Sequence, residues 1–135
     1  MKIKGLDGRD YFWNPSNCQA LCESRSSLHT KAKELLEEIF PYDRILEEIS
    51  LPGSKTAIRK STLRADLFVP NRDLIVEVHG EQHHNFNSFF HKNKMAFYKA
   101  KARDMEKQEW CELNNIRLVE LNYNEGTDEW RTKIE

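Results

Sequence analysis

Asp66 is followed eleven residues later by Glu77, and Glu77 opens the string Glu77-Val78-His79-Gly80-Glu81-Gln82-His83-His84, which packs three histidines and two acids into eight residues. Carboxylates brought close together hold hard divalent cations, and histidines beside them can move protons near neutral pH. A single histidine is more often a hydrogen-bonded structural residue, but this density of titratable groups favours a site. Gly80 lets the backbone turn sharply where the string leaves its strand.

The elements that must position these residues can be read on either side of them. Leu63 to Val69 and Asp73 to His79 are rich in β-branched and apolar residues, and Pro70, Asn71 and Arg72 between them are turn formers, so the segment predicts a hairpin. Strand alternation puts Leu74, Val76 and Val78 on one face, with Ile75, Glu77 and His79 on the other; on the preceding strand Arg64, Asp66 and Phe68 share a face. A two-residue turn at Asn71 and Arg72 sets Asp66 directly opposite Glu77, and Arg64 opposite His79. Opposed carboxylates lie with Cβ atoms about 5 Å apart and repel unless neutralised, and Mg²⁺ or Mn²⁺ is the natural remedy. The alternative is that one carboxylate points to solvent or pairs with Arg64.

Further out, Ser27 is placed to cap a helix whose Leu28, Ala32, Leu35, Leu36 and Ile39 recur at helical spacing, with Pro41 as its stop. Arg44 to Leu51 reads as a strand and Pro52 to Thr62 as a basic loop. From about Lys92 to Leu113 a long helix is expected, with Met95, Tyr98, Ala102 and Met105 as its buried stripe. Ile116 to Tyr123 is a last strand, ended by Gly126. This order predicts an α/β fold of three layers, αβα, in which a mixed sheet of about four strands lies between helices. The 135 residues fit one domain, with 1–25 as an irregular extension packed down by Tyr11, Phe12 and Trp13, and 26–123 as the core.

An apolar fraction of 39% and a charged fraction of 32% describe a folded chain with a heavily solvated surface. No apolar run is long enough to span a bilayer and residues 1–10 lack a signal-peptide segment, so no membrane partner and a cytoplasmic location are expected. Cys18, Cys22 and Cys111 are an odd count, expected as free thiols, with a zinc clip at Cys18 and Cys22 as the alternative. The net charge of −1 gives no global attraction to nucleic acid. Locally, however, Lys55, Arg59, Lys60 and Arg64 form one acid-free stretch, and Lys92, Lys94, Lys99, Lys101 and Arg103 form another. Both are suited to phosphates.

Asp66 with Glu77-Val78-His79 resembles the metal-binding core of the PD-(D/E)XK nuclease superfamily, with His79 where lysine is usual. The stretch Val76 to His84 is closer still to the very-short-patch repair endonucleases and the related phage homing endonucleases, and the similarity runs from about Ser26 to Tyr123. The resemblance implies a restriction-endonuclease-like fold and Mg²⁺-dependent hydrolysis of DNA phosphodiesters. It implies Asp66, Glu77 and the Val78 carbonyl as metal ligands, His84 as catalytic histidine and Asp104 as its helper from the long helix. The repair enzymes carry a helical glutamate near the position of His29, for which Glu34 is a candidate substitute. The role of His79 stays open between phosphate contact and water orientation. Lys55, Arg59, Lys60, Arg64, Lys94 and Lys101 would hold the DNA, and the oligomeric state, a homodimer included, is open. The runners-up are a nucleic-acid-binding protein on a degenerate nuclease fold and a structural zinc module.

Overall fold

The computed structural model describes residues 2–14, 27–55, 62–79 and 94–135. Its centre is a four-stranded mixed sheet in the order β3-β4-β5-β6, where β3 is Leu46–Ser50, β4 Arg64–Val69, β5 Leu74–His79 and β6 Arg117–Asn122. The first two pairings are antiparallel and β5 with β6 is parallel. A parallel neighbour cannot be reached through a tight turn, so the chain crosses over through α2, Lys94–Leu113.

Two cores lie on opposite faces of the sheet. On one, Ala32, Leu35 and Leu36 of α1 (Ser27–Ile39) and Trp130 and Ile134 of α3 (Thr127–Ile134) pack on Leu67, Leu74, Val76 and Leu121. On the other, Trp110 and Cys111 of α2 join Trp13, Phe68 and Ile75. Trp13 carries this second core, with its ring 5.0 Å from Phe68 and 5.3 Å edge-on to Trp110. The expected three-layer αβα arrangement is therefore present, and no described helix is long and apolar enough to cross a membrane.

Three expectations need correction. The N-terminal residues are not irregular throughout: β1 (Lys2–Lys4) and β2 (Asp10–Phe12) form a small antiparallel sheet, and Ile3 and Trp13 are buried while Phe12 is exposed. This hairpin is held down by Asn114, whose side chain accepts the Lys4 N–H at 2.6 Å and donates to the Lys4 carbonyl at 2.9 Å. Gly53, at φ +71°, makes the docking possible, since a Cβ there would meet Gly5 Cα at 2.5 Å.

The stripe expected to bury α2 is on the wrong side of that helix: Tyr98, Ala102 and Met105 are exposed, and the buried face runs through Trp110 and Cys111. Aromatic anchoring at the C-terminal end decided the helix's rotation over the scattered apolar residues at its start. Finally, α3 was not anticipated. Its signals are Gly126 followed by Asp128 and Glu129 in the first turn, Arg131 and Lys133 in the last, and Trp130 and Ile134 four apart.

Candidate metal centre

β4 and β5 pair as Leu67 with Val76, Phe68 with Ile75 and Val69 with Leu74, and this register continued by one residue faces Asp66 with Glu77. The turn that sets it is a short 3-10 segment at Pro70–Arg72, closed by the Asp73 N–H on the Pro70 carbonyl at 3.3 Å with Asp73 in the left-handed region. Beyond Leu67 the backbone ladder gives way, and the Val78 N–H donates instead to Asp66 Oδ2 at 2.9 Å. In a strand the N–H and carbonyl of one residue point the same way, so the Val78 carbonyl shares the edge that Asp66 occupies.

Glu77 is buried and its carboxyl lies within hydrogen-bonding reach of Asp66. Burial first, and the Asp66 charge second, push the Glu77 carboxyl well above the ordinary carboxylate range. Lys107 of α2 opposes this, its Nζ 2.8 Å from Glu77 Oε1. The contact is an ion pair without hydrogen-bond alignment, so that buried oxygen has no well-aligned donor. Burial pulls the Lys107 ammonium down, but the Glu77 carboxylate outweighs it and the net shift is upward. One cation against two adjacent acids leaves a negative, poorly hydrated pocket, and its hard oxygen donors suit Mg²⁺ or Mn²⁺.

A third acid belongs to the same row. Glu48 of β3 lies at the register position opposite Asp66, between the pairs Glu47 with Leu67 and Ile49 with Ala65. Burial, then Asp66, raise its carboxyl as well. His29 of α1 approaches from the helix layer: one ligating atom each of His29, Glu48 and Asp66 lie within 4.8 Å of one another. The imidazole Nε2 is also 3.3 Å from Glu47 Oε1, and Lys33 lies 3.7 Å from the same oxygen.

Of the residues singled out from sequence, Asp66, Glu77 and Val78 come together. His79 is buried and Arg64 exposed; Arg64 faces Ser50 of β3 on one side of β4, and on the other the β4–β5 pairs run from Leu67 with Val76 to Val69 with Leu74, short of Arg64 and His79. Asp104 is half-buried on α2 and near enough to Lys107 to favour its charge. Glu34 is exposed on α1, and His29 itself, not Glu34, reaches the acid row. Lys55 is exposed, Lys101 half-buried, and Lys94 opens α2. His84, Arg59, Lys60, Cys18 and Cys22 lie outside the described residues.

Two contributors were missed. Lys107 is readable once Trp110 and Cys111 fix the buried side of α2, since it sits one helical turn before them. Glu48 carries a weaker signal, the doublet Glu47-Glu48 within a strand that should be half apolar.

Comparison with known proteins finds similarity to two iridescent virus proteins. The chain is 39% identical over 69 residues to "Uncharacterized protein 033L" of Invertebrate iridescent virus 3, which spans 51% of this chain and 36% of that protein. It is 43% identical over 61 residues to "Uncharacterized protein 307L" of Invertebrate iridescent virus 6, spanning 45% of this chain and 31% of the other. The aligned stretches thus cover about a third of each relative. No family profile and no solved structure matches the chain.

Proposed function

We propose that this chain is a metal-dependent endonuclease that hydrolyses phosphodiester bonds in DNA. The observation that carries the reading is the meeting of Asp66 and Glu77 across the β4–β5 hairpin with Lys107 2.8 Å from Glu77. Asp66, Glu77 and the Val78 carbonyl would hold a dication, and the acids' hard oxygens fit Mg²⁺ or Mn²⁺. Such a cation supplies Lewis-acid stabilisation of charge growing on the phosphate and lowers the pKa of bound water.

Lys107 supplies the fixed positive charge that the resemblance leads one to seek at His79, and it holds the Glu77 carboxylate in place. His84 is the proposed proton carrier, on the resemblance alone, with Asp104 as its proposed helper. DNA is preferred to RNA through the resemblance, because phosphate contacts by Lys55, Arg64 and the α2 lysines do not read the sugar. Nucleic-acid binding without cleavage is the second reading. It is favoured by Lys107, which already offsets part of the charge a cation would neutralise.

Incubation with supercoiled plasmid in Mg²⁺, Mn²⁺ or EDTA separates the two. Cleavage is expected with either metal and none in EDTA. Asp66→Ala and His84→Ala should each abolish it, and only the first should shrink metal-dependent stabilisation of the fold. A His84→Ala rate within about tenfold of wild type would remove His84 from the mechanism, since acid–base assistance is typically worth about 10²–10⁴-fold. Full cleavage by Asp66→Ala would end the assignment to this site.

A further inference from the structure

We propose that His29, Glu48 and Asp66 form a mixed nitrogen–oxygen cation site, selective for a transition-metal dication over Mg²⁺. It shares Asp66 with the site described above but does not depend on cleavage. The three ligands come from three elements, α1, β3 and β4, and their ligating atoms already lie within 4.8 Å of one another. Ligands around a cation at about 2.1 Å stand roughly 3 to 4.2 Å apart, so the set closes on an ion with a small side-chain adjustment. His29 is buried and the two acids are half-buried, which keeps the donors partly dehydrated and ordered before any ion arrives. Glu47 Oε1, 3.3 Å from Nε2, would orient the ring with Nδ1 as the ligating nitrogen, as metal-bound histidines commonly require.

The backbone supplies an independent observation. Glu48 has φ +51°, the left-handed region, in mid-strand. Leu46 and Ile49 both lie in the α2-side core, as do Ala65 and Phe68 on the paired strand, so side-chain alternation loses phase on both strands at Glu48 and Asp66. Glu47 meanwhile meets His29 and Lys33 on the α1 side. The sheet is therefore distorted at the two acids that the histidine approaches, with a glutamate in a conformation that glycine would adopt without strain. Strained backbone persists where the surroundings over-determine it, characteristically at functional sites. An imidazole among carboxylates tilts selectivity from Mg²⁺ towards Mn²⁺ and later first-row ions.

Mn²⁺ is the probe, because it is detected directly by loss of the free-ion EPR signal and does not favour thiolates such as Cys18 and Cys22. Saturable Mn²⁺ binding is expected, with Mg²⁺ competing only at concentrations at least about tenfold higher. His29→Gln and Glu48→Gly should each weaken Mn²⁺ binding by about tenfold or more, whereas Glu112→Gln, at an exposed acid of α2 outside both sites, should change it less than about threefold. Glu48→Gly guards against a misfolding explanation: glycine suits φ +51°, so in EDTA this variant should match or exceed wild type in urea midpoint. Mn²⁺ affinity within twofold of wild type in both His29→Gln and Glu48→Gly overturns the proposal. So does a loss confined to Glu77→Gln, which would put the ion on the Asp66–Glu77 pair. Neither outcome touches the nuclease reading, which stands or falls on plasmid cleavage by wild type and Asp66→Ala.

Discussion

Replacing Lys107 with methionine removes the ammonium but keeps most of the side chain's packing. The pair it belongs to is 2.8 Å long, with side chains 19% and 4% exposed, so solvent screening is slight. Breaking such a pair from one side leaves a buried carboxylate uncompensated, at a typical cost of about 3–5 kcal/mol. Glu77 can escape part of that cost by taking up a proton, which sets a pH dependence. A carboxyl whose folded pKa is raised stabilises the fold fully below its ordinary value, 4.5, and that contribution is lost as pH rises through the folded pKa. Lys107, raised above its ordinary 10.5, keeps its contribution across the neutral range and loses it only above that range.

The stability gap between wild type and Lys107→Met should therefore be small near pH 4.5 and widen to about 3 kcal/mol by pH 8. With a urea slope of about 2 kcal/mol/M, that is a midpoint shift of about 1.5 M. Fluorescence of the buried Trp13, Trp110 and Trp130 reports the transition, and EDTA throughout removes metal effects. Glu77→Gln in the same chain should recover much of the loss, because the double variant buries no charge. A gap under about 0.5 kcal/mol at pH 8, or one that does not change with pH, would refute the ion pair as an energetic element.

Two further outcomes follow from buried or paired groups. Burial raises the Cys111 thiol to about 12, so with Cys18 and Cys22 changed to serine the native chain should resist a thiol reagent at pH 8, labelling only on unfolding; native-rate labelling would mean α2 does not seal it. Glu125 accepts the Asn122 N–H at 2.9 Å and Lys133 Nζ at 2.7 Å, and these outweigh burial to hold its carboxyl below the ordinary 4.5. Glu125→Gln should cost about 1 kcal/mol at pH 7 in urea unfolding, a difference that fades as pH falls through and below that value; a constant difference down to pH 3 would exclude a charge origin.

Much of the scaffold was legible in the chain because local rules govern it. The β4–β5 register follows from Pro70-Asn71-Arg72 and from alternation on both strands, and that register alone brings Asp66 to Glu77. Helical spacing gave α1, and its Ala32, Leu35 and Leu36 do line the core. The rest was decided by contacts between segments far apart in sequence. Which face of α2 is buried depends on Trp110 meeting Trp13, a residue ninety-seven positions away, and only that rotation turns Lys107 toward Glu77. Likewise the left-handed Glu48 and the approach of His29 arise where α1, β3 and β4 pack together. Periodicity reports which residues share a face of one element; the angle at which that element docks is set by side-chain volumes from others, and the approach of Lys107 to Glu77 and of His29 to Asp66 and Glu48 follows from that angle.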